Sequence, residues 1–247
     1  MQAPVLQGLV GRRILVNFRV DPEVIRGQLP PPFHPKLVGG WAIAGICLIR
    51  LEQLRPRGWL AAVGTSSENA AHRIAVTWRD ASGVTCEGVY IPRRDTSSPL
   101  NAWVGGRFFP GEHQHARFQV REDASRIDLV MESADGSTDV RLRARTSDRL
   151  PATSCFASLE AASAFFAAGS VGYSATRSGV RLDGLELRTF GWCVEPLEVQ
   201  SIFSRYFGEA SRFPANKVVL DSALLMRNVA HEWHPVNGLP KAYASCC

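Results

Sequence analysis

The sequence predicts a mainly β protein, built as an antiparallel barrel or as paired sheets. Three observations carry this expectation. Short apolar runs recur with period-two alternation, clusters of Asp, Ser and Gly separate them, and only one segment has a clear helical stripe. A parallel α/β protein would need a crossover helix between most strands, and the chain does not supply them. Its 247 residues fit one large β-rich domain, with a hydrophobic share of 45% that suffices for a sizeable core. There is no internal repeat, no low-complexity tract and no clean linker, so a single domain is expected over residues 10–240, with 241–247 as a flexible tail.

The elements follow in order. Residues 14–20 read as a strand. Asp21-Pro22-Glu23 then starts a short helix, with aspartate as the cap and proline in the first turn. Leu29-Pro30-Pro31-Pro32 ends it, because proline lacks the amide donor and restricts the residue before it. Residues 41–51 form a long apolar run, expected as a buried strand, in which Gly45 permits a bend or a close backbone approach. Residues 70–78 and 84–91 make a hairpin about the turn Asp80-Ala81-Ser82-Gly83.

Ile127, Leu129 and Met131 alternate with polar neighbours, and Val140, Leu142 and Ala144 alternate with Arg141, Arg143 and Arg145. Period two places those three arginines on one face, which a solvated outer surface explains best. Ser158 caps the clearest helix, over residues 158–168, whose stripe is Leu159, Ala162, Phe165 and Phe166, and Gly169 stops it. Residues 181–193 return to strand character, 196–207 are expected to hold a second helix, and 217–226 to form a strand running into small residues.

Composition narrows the function classes. Net charge is +5, from 28 basic and 23 acidic residues. Only Lys36, Lys217 and Lys241 are lysines, and acidic residues are interspersed throughout. No clustered basic stripe or nucleic-acid module is present, so no nucleic-acid partner is expected. No uncharged window reaches transmembrane length, and no long apolar stretch opens the chain, so no membrane partner is expected. Cys47, Cys86, Cys155 and Cys193 are widely spaced without a CxxC pair, and Cys246 and Cys247 close the chain. They read as free thiols, mostly buried, in a cytoplasmic protein. An exposed sheet edge would favour a homodimer.

The chemistry concentrates in one stretch. Gly88-Val89-Tyr90-Ile91-Pro92 leads through Arg93, Arg94 and Asp95 to Gly111-Glu112-His113-Gln114-His115-Ala116-Arg117, and Arg107 lies between. Polar groups at this density beside a sheet suggest the mouth of a pocket. Glu68, Arg73, Arg94, Arg107 and Arg117 are the candidate charged groups. A buried Glu–Arg pair can hold strands together, and an unpaired arginine can orient a carboxylate through two parallel hydrogen bonds. His115, or His113, with Glu68 could move a proton.

Other signatures are weaker. His113 and His115 share a face if the segment is extended, but the glutamate that would complete a cupin-like metal set is absent where it is needed. His231-Glu232-Trp233-His234 is not a metalloprotease motif, and loop or strand suits it better than helix. Ser97, Ser98 and Ser222 stand in no nucleophile elbow, and the Gly pairs 39–40 and 105–106 form no phosphate loop. Lys217 reads as a structural or surface residue. Trp41, Trp78, Tyr90, Trp103, Phe108 and Phe109 could line an apolar cavity, although core packing explains most of them. No cofactor and no bound metal are expected.

Val20-Asp21-Pro22-Glu23 with Leu29-Pro30, Glu68-Asn69 followed by Arg73, Gly88-Val89-Tyr90, His115-Ala116-Arg117 and Asp221-Ser222-Ala223-Leu224-Leu225-Met226 together resemble a bacterial family, domain of unknown function 2071. That family looks like part of the acetoacetate decarboxylase-like superfamily. The resemblance spans roughly residues 10–235. It implies an antiparallel barrel wrapped by further strands, with a few peripheral helices. It also implies a pocket lined by the strand that carries Glu68 and Arg73 and by the segment 113–117.

In the decarboxylase a lysine of a Gly-x-Pro-Lys-Lys segment forms a Schiff base with a β-keto acid. The segment here that resembles it, residues 111–115, contains no lysine, so that chemistry is not implied. The sequence therefore leads to a pocket for a small organic acid or carbonyl compound, serving a lyase, hydratase or isomerase that acts through an enol-like intermediate. The alternatives are carriage or sensing of a small hydrophobic ligand and, third, a metal-dependent enzyme.

Overall fold

The structure is a computed structural model and describes residues 4–105, 111–176, 179 and 181–240. Thirteen strands occur among the described residues, joined into one sheet. The first is β1 (Leu6–Val20), followed by helix α1 (Pro22–Arg26). Asp21 accepts a hydrogen bond from the Glu23 amide, and proline sits in the first turn, as the Asp-Pro-Glu signature predicts. Two short strands, β2 (His34–Pro35) and β3 (Leu37–Val38), precede β4 (Trp41–Pro56). The expected hairpin is β5 (Thr65–Arg79) with β6 (Thr85–Thr96).

Helix α2 (Pro99–Val104) leads towards β7 (Gln114–Glu122), β8 (Arg126–Ser133) and β9 (Val140–Thr146). Helix α3 (Leu159–Ala168) is capped by Ser158, as its stripe predicts. Then come β10 (Val171–Ala175), β11 (Arg181–Phe190), β12 (Glu195–Ser204), helix α4 (Arg205–Gly208) and β13 (Val218–Pro240).

One expectation fails here. The helix expected over 196–207 is β12, with only a single turn of helix, α4, at its end. Leu197, Val199 and Ile202 pack against the core, and β12 pairs with both β9 and β13. The branched side chains and two available strand partners outweigh any local helical preference.

The pairings close on themselves twice. One circuit runs β6-β7-β8-β9-β12-β13-β1-β4-β5 and returns to β6. A second runs β6-β10-β11-β13 and shares the wall β13-β1-β4-β5-β6. The sheet is mostly antiparallel, with parallel pairing of β6 to β7 and of β6 to β10. Each shared strand therefore buries both faces. On β1, Ile14, Val16 and Phe18 face the nine-strand circuit, with Ile46 and Leu48 of β4 and Leu129, Met131 and Leu142 opposite them. On the other face Leu15, Ile43, Leu224 and Met226 pack with Ala162 and Phe166 of α3. The arginines at 141, 143 and 145 lie on the exposed side of β9, where Arg143 pairs with Asp128 and Arg145 with Glu198. Their solvated-face reading holds.

Candidate functional site

The second face of the shared wall carries a cavity of about 170 Å³. Its floor follows from strand registry. Arg13 on β1 lies opposite Ile49 on β4, which lies opposite Asn69 on β5. Two residues on, Leu15, Cys47 and Ala71 are aligned, and two further on, Asn17, Gly45 and Arg73. Period two points all of these to the same face. Small side chains at Cys47 and Ala71 leave room at the centre, while arginines stand at two diagonal corners. Leu185 and Leu187 of β11, Trp233 of β13, Gly172 of β10 and Leu54 supply much of the remaining, mainly apolar, wall.

A bulge brings in the third arginine. Across β5 and β6, His72 is opposite Arg93 but Ile74 is opposite Tyr90, so Ile91-Pro92 opposes the single residue Arg73. The extra residue shifts the alternation of β6 by one. Ile91 and Arg94 consequently line the cavity, and Arg93 turns to the other face. There Arg93 is fully engaged, by Asp95 at 2.7 Å and Asp135 at 2.7 Å.

Arg94 is 8% exposed and donates from Nε to Ser174 Oγ at 3.2 Å. Arg73 is 5% exposed; it donates from Nη2 to Asn17 Oδ1 at 2.5 Å, its Nε has no partner, and it lies over the Phe166 ring. Arg13 donates from Nε to Cys47 Sγ at 3.4 Å. Among the described residues no carboxylate pairs with any of the three. Asp95 also borders the cavity, but its oxygens serve Arg93 and Thr138. Burial pushes Arg73 and Arg94 down to about 10, which leaves both charged at neutral pH.

His113 sits beside Arg94, in the turn ahead of β7. Its ring Nδ1 is 3.0 Å from the Gly111 carbonyl. A carbonyl only accepts, so Nδ1 carries the proton and Nε2 keeps the lone pair. Burial, and then the Arg94 charge, lower its pKa to about 4 against the raising effect of the Gly111 bond. The imidazole is therefore neutral at pH 7. Two glycines make this arrangement possible. A Cβ at Gly111 would fall 2.6 Å from Arg94 Nε, and one at Gly105 would fall 2.4 Å from His113 Nδ1.

The candidate residues read from sequence separate in space. Arg73, Arg94 and His113 meet at the cavity. Glu68 lies on the opposite face of β5, where it ion-pairs with Arg12 at 2.5 Å and with Arg50 at 3.1 Å. Glu122 joins the same cluster through Arg12, Arg50 and Arg227. His115 and Arg117 are exposed on β7 and do not border the cavity. Arg107, Phe108 and Phe109 lie outside the described residues, as do Lys241, Cys246 and Cys247.

Two signals pointed to this partition. Glu68 and Arg73 are five residues apart, an odd number, and so face opposite sides of one strand. His113 precedes the strand, so the alternation that would align it with His115 does not reach it. Arg13, Asn69, Asn101 and Trp233 also border the cavity, and none was singled out alone from the sequence. Asn69 stands within the Glu68-Asn69 motif, but nothing distinguishes Arg13 from its neighbour Arg12.

The other singled-out groups have structural partners. Lys217 pairs with Asp21 at the surface. Lys36 pairs with Glu87 and lies over Phe165. Neither amine borders the main cavity. Trp78 packs with Phe33 and Tyr173 in the core, Trp41 lies beside Arg19, and Trp103 is exposed. Cys47 is buried, whereas Cys193 is exposed, against the expectation of burial. His234 bonds Glu232 at 2.7 Å, while His231 is buried on the other face of β13. Among the described residues no three His, Cys, Asp or Glu side chains gather as a metal site. A larger cavity of about 410 Å³ lies across the wall, but its Arg93 is held by Asp95 and Asp135, and its Arg212 by Glu209 and the Tyr206 ring.

This double circuit is the fold of acetoacetate decarboxylase-like proteins. It is similar to the acetoacetate decarboxylase of Legionella pneumophila subsp. pneumophila str. Philadelphia 1 at 12% identity, with 97% of this chain and 88% of that chain covered and a TM-score of 0.63. An acetoacetate decarboxylase-like enzyme from Sphingomonas wittichii RW1 matches at 12% identity, 97% and 94% coverage and a TM-score of 0.60. The enduracididine biosynthesis enzyme MppR, complexed with the condensation product of pyruvate and imidazole 4-carboxaldehyde, matches at 14% identity, 99% and 92% coverage and a TM-score of 0.61. No curated protein matches the chain. The chain belongs to the family DUF2071, described as an uncharacterized conserved protein, whose model matches residues 11–214.

Proposed function

We propose that this protein is an enzyme that binds a small organic acid bearing a carbonyl group and moves a proton at the carbon beside that carbonyl, as a lyase, hydratase or isomerase. One observation carries the reading: Arg94 and neutral His113 stand together at an apolar cavity, and among the described residues no carboxylate neutralises Arg94. A buried guanidinium without an anionic partner is costly, and a bound carboxylate offsets that cost with two charge-assisted hydrogen bonds. It also removes the charge that lowers the His113 pKa, so Nε2 becomes a stronger base once the acid is bound. Nε2 then takes the proton from carbon, the C–H electron pair passes into the enolate, and the imidazolium returns the proton to the product. Arg94 stabilises the added negative charge. Neither Lys36 nor Lys217 borders the main cavity, so the reading does not use an amine.

The experiment is deuterium exchange in D₂O, followed by proton NMR, at the carbon beside the carbonyl of pyruvate, 2-oxobutyrate and acetoacetate. Exchange by the wild-type protein, abolished in His113→Ala, is expected. Binding of these acids without any exchange would refute catalysis and favour the carrier reading, which the mainly apolar wall would also suit.

A further inference from the structure

The proposed proton transfer uses Arg94 and leaves Arg13 and Arg73, which also border the cavity, without a role. Arg13 and Arg73 stand on β1 and β5, at diagonal corners of the floor about Cys47. Burial lowers the Arg73 pKa first, and the Arg13 charge lowers it further. Both also border a water-sized recess of about 30 Å³ that adjoins the cavity and is lined by Lys36, Phe165 and Phe166 as well. Arg94 and His113 do not border that recess. Arg13 and Arg73 share this recess and Arg94 does not, so the cationic groups fall into two sets, Arg94 beside His113 and Arg13 with Arg73 about the recess. The second set has an unpartnered donor, Nε of Arg73, on a side chain that is 5% exposed. Among the described residues three guanidiniums face one cavity, and one carboxylate would leave two of them uncompensated.

We propose that the ligand is a dicarboxylic acid, with one carboxylate on Arg94 and the other held between Arg13 and Arg73. This rests on the acid-binding reading of the same site and specifies its substrate class. Size agrees: a cavity of about 150 Å³ elsewhere holds benzene, so the main cavity and its recess suit a diacid of about four or five carbons. The carbonyl lies in the segment between the carboxylates, next to His113. The apolar walls contact the connecting methylene groups.

The test is isothermal titration calorimetry of the full chain with glutarate, succinate and butyrate, in the wild type and in the variants Arg13→Gln and Arg94→Gln. The expected result is at least tenfold tighter binding of glutarate or succinate than of butyrate. R13Q is expected to lose that preference while keeping its butyrate affinity, and R94Q to weaken all three acids. If R13Q does not fold, the comparison of acids on the wild type still decides. Equal affinities for diacids and butyrate, both weakened in R94Q, would overturn the second carboxylate and leave the acid site standing. No binding of any acid would overturn the acid site, and the diacid with it.

Discussion

Gly111 and Arg94 are locked together: the glycine backbone has φ +84°, and a Cβ there would lie 2.6 Å from the guanidinium Nε. The same glycine's carbonyl holds His113 Nδ1 at 3.0 Å. One residue therefore sets the positions of both groups assigned to substrate.

Gly111→Ala should cost about 1 kcal/mol from left-handed backbone strain and should also displace Arg94. We expect at least a tenfold loss of carboxylate affinity by calorimetry. Gly136→Ala is the control, since Gly136 has φ +66° and nothing within 4 Å of an added Cβ. It should show a similar stability loss with unchanged affinity. Equal affinities in the two variants would dissociate Gly111 from the site.

Glu68 belongs to the other face of the wall. Glu68→Gln leaves the 1%-exposed Arg12 with Glu122 as its remaining partner. Urea unfolding should show a loss of about 3 kcal/mol, while acid binding and exchange stay at wild-type levels. A selective loss of exchange in a fully stable variant would return Glu68 to the catalytic set.

Acid should destabilise the fold through two buried histidines, His72 and His231, and the half-buried His113. Burial lowers His72 to about 3, and His113 and His231 to about 4, from 6.5. Their folded pKa values lie below the unfolded one, so their contribution is complete above pH 6.5 and is lost as pH falls towards 4. The unfolded chain then binds up to three more protons than the folded one, a slope of at most about 4 kcal/mol per pH unit. Unfolding free energies measured between pH 7 and pH 4.5 should follow this sign. His72→Phe, which keeps the ring stack on Tyr206 at 4.5 Å, should flatten the slope by about a third.

The strands and the one strong helix were legible because both rest on periodicity. Ile14, Val16 and Phe18 announce β1, and Ser158 with its apolar stripe announces α3. The sequence boundaries of β1, β4 and β5 are too short, because Arg12, Glu52 and Glu68 look like solvent residues until the fold pairs Arg12 with Glu68 and Glu122, and Arg50 with Glu52 and Glu68. The site was legible in part. Arg73, Arg94 and His113 are among the sequence candidates, but the reason that Arg94 and not Arg93 faces the cavity is the Ile91-Pro92 bulge, which only tertiary pairing reveals. Residues 196–207 read as helix because local pattern carries no information about the free edges of β9 and β13 that β12 occupies.

Arg94 and His113 are proposed to act together on a bound acid. The most direct measurement is ¹⁵N NMR of the His113 ring across pH, with and without 2-oxobutyrate. The account predicts a neutral imidazole protonated at Nδ1, with a pKa near 4 in the free protein. It also predicts a rise of that pKa when the acid is bound, and loss of the rise in Arg94→Gln. A His113 pKa indifferent to the acid, in a protein shown to bind it, would contradict the account.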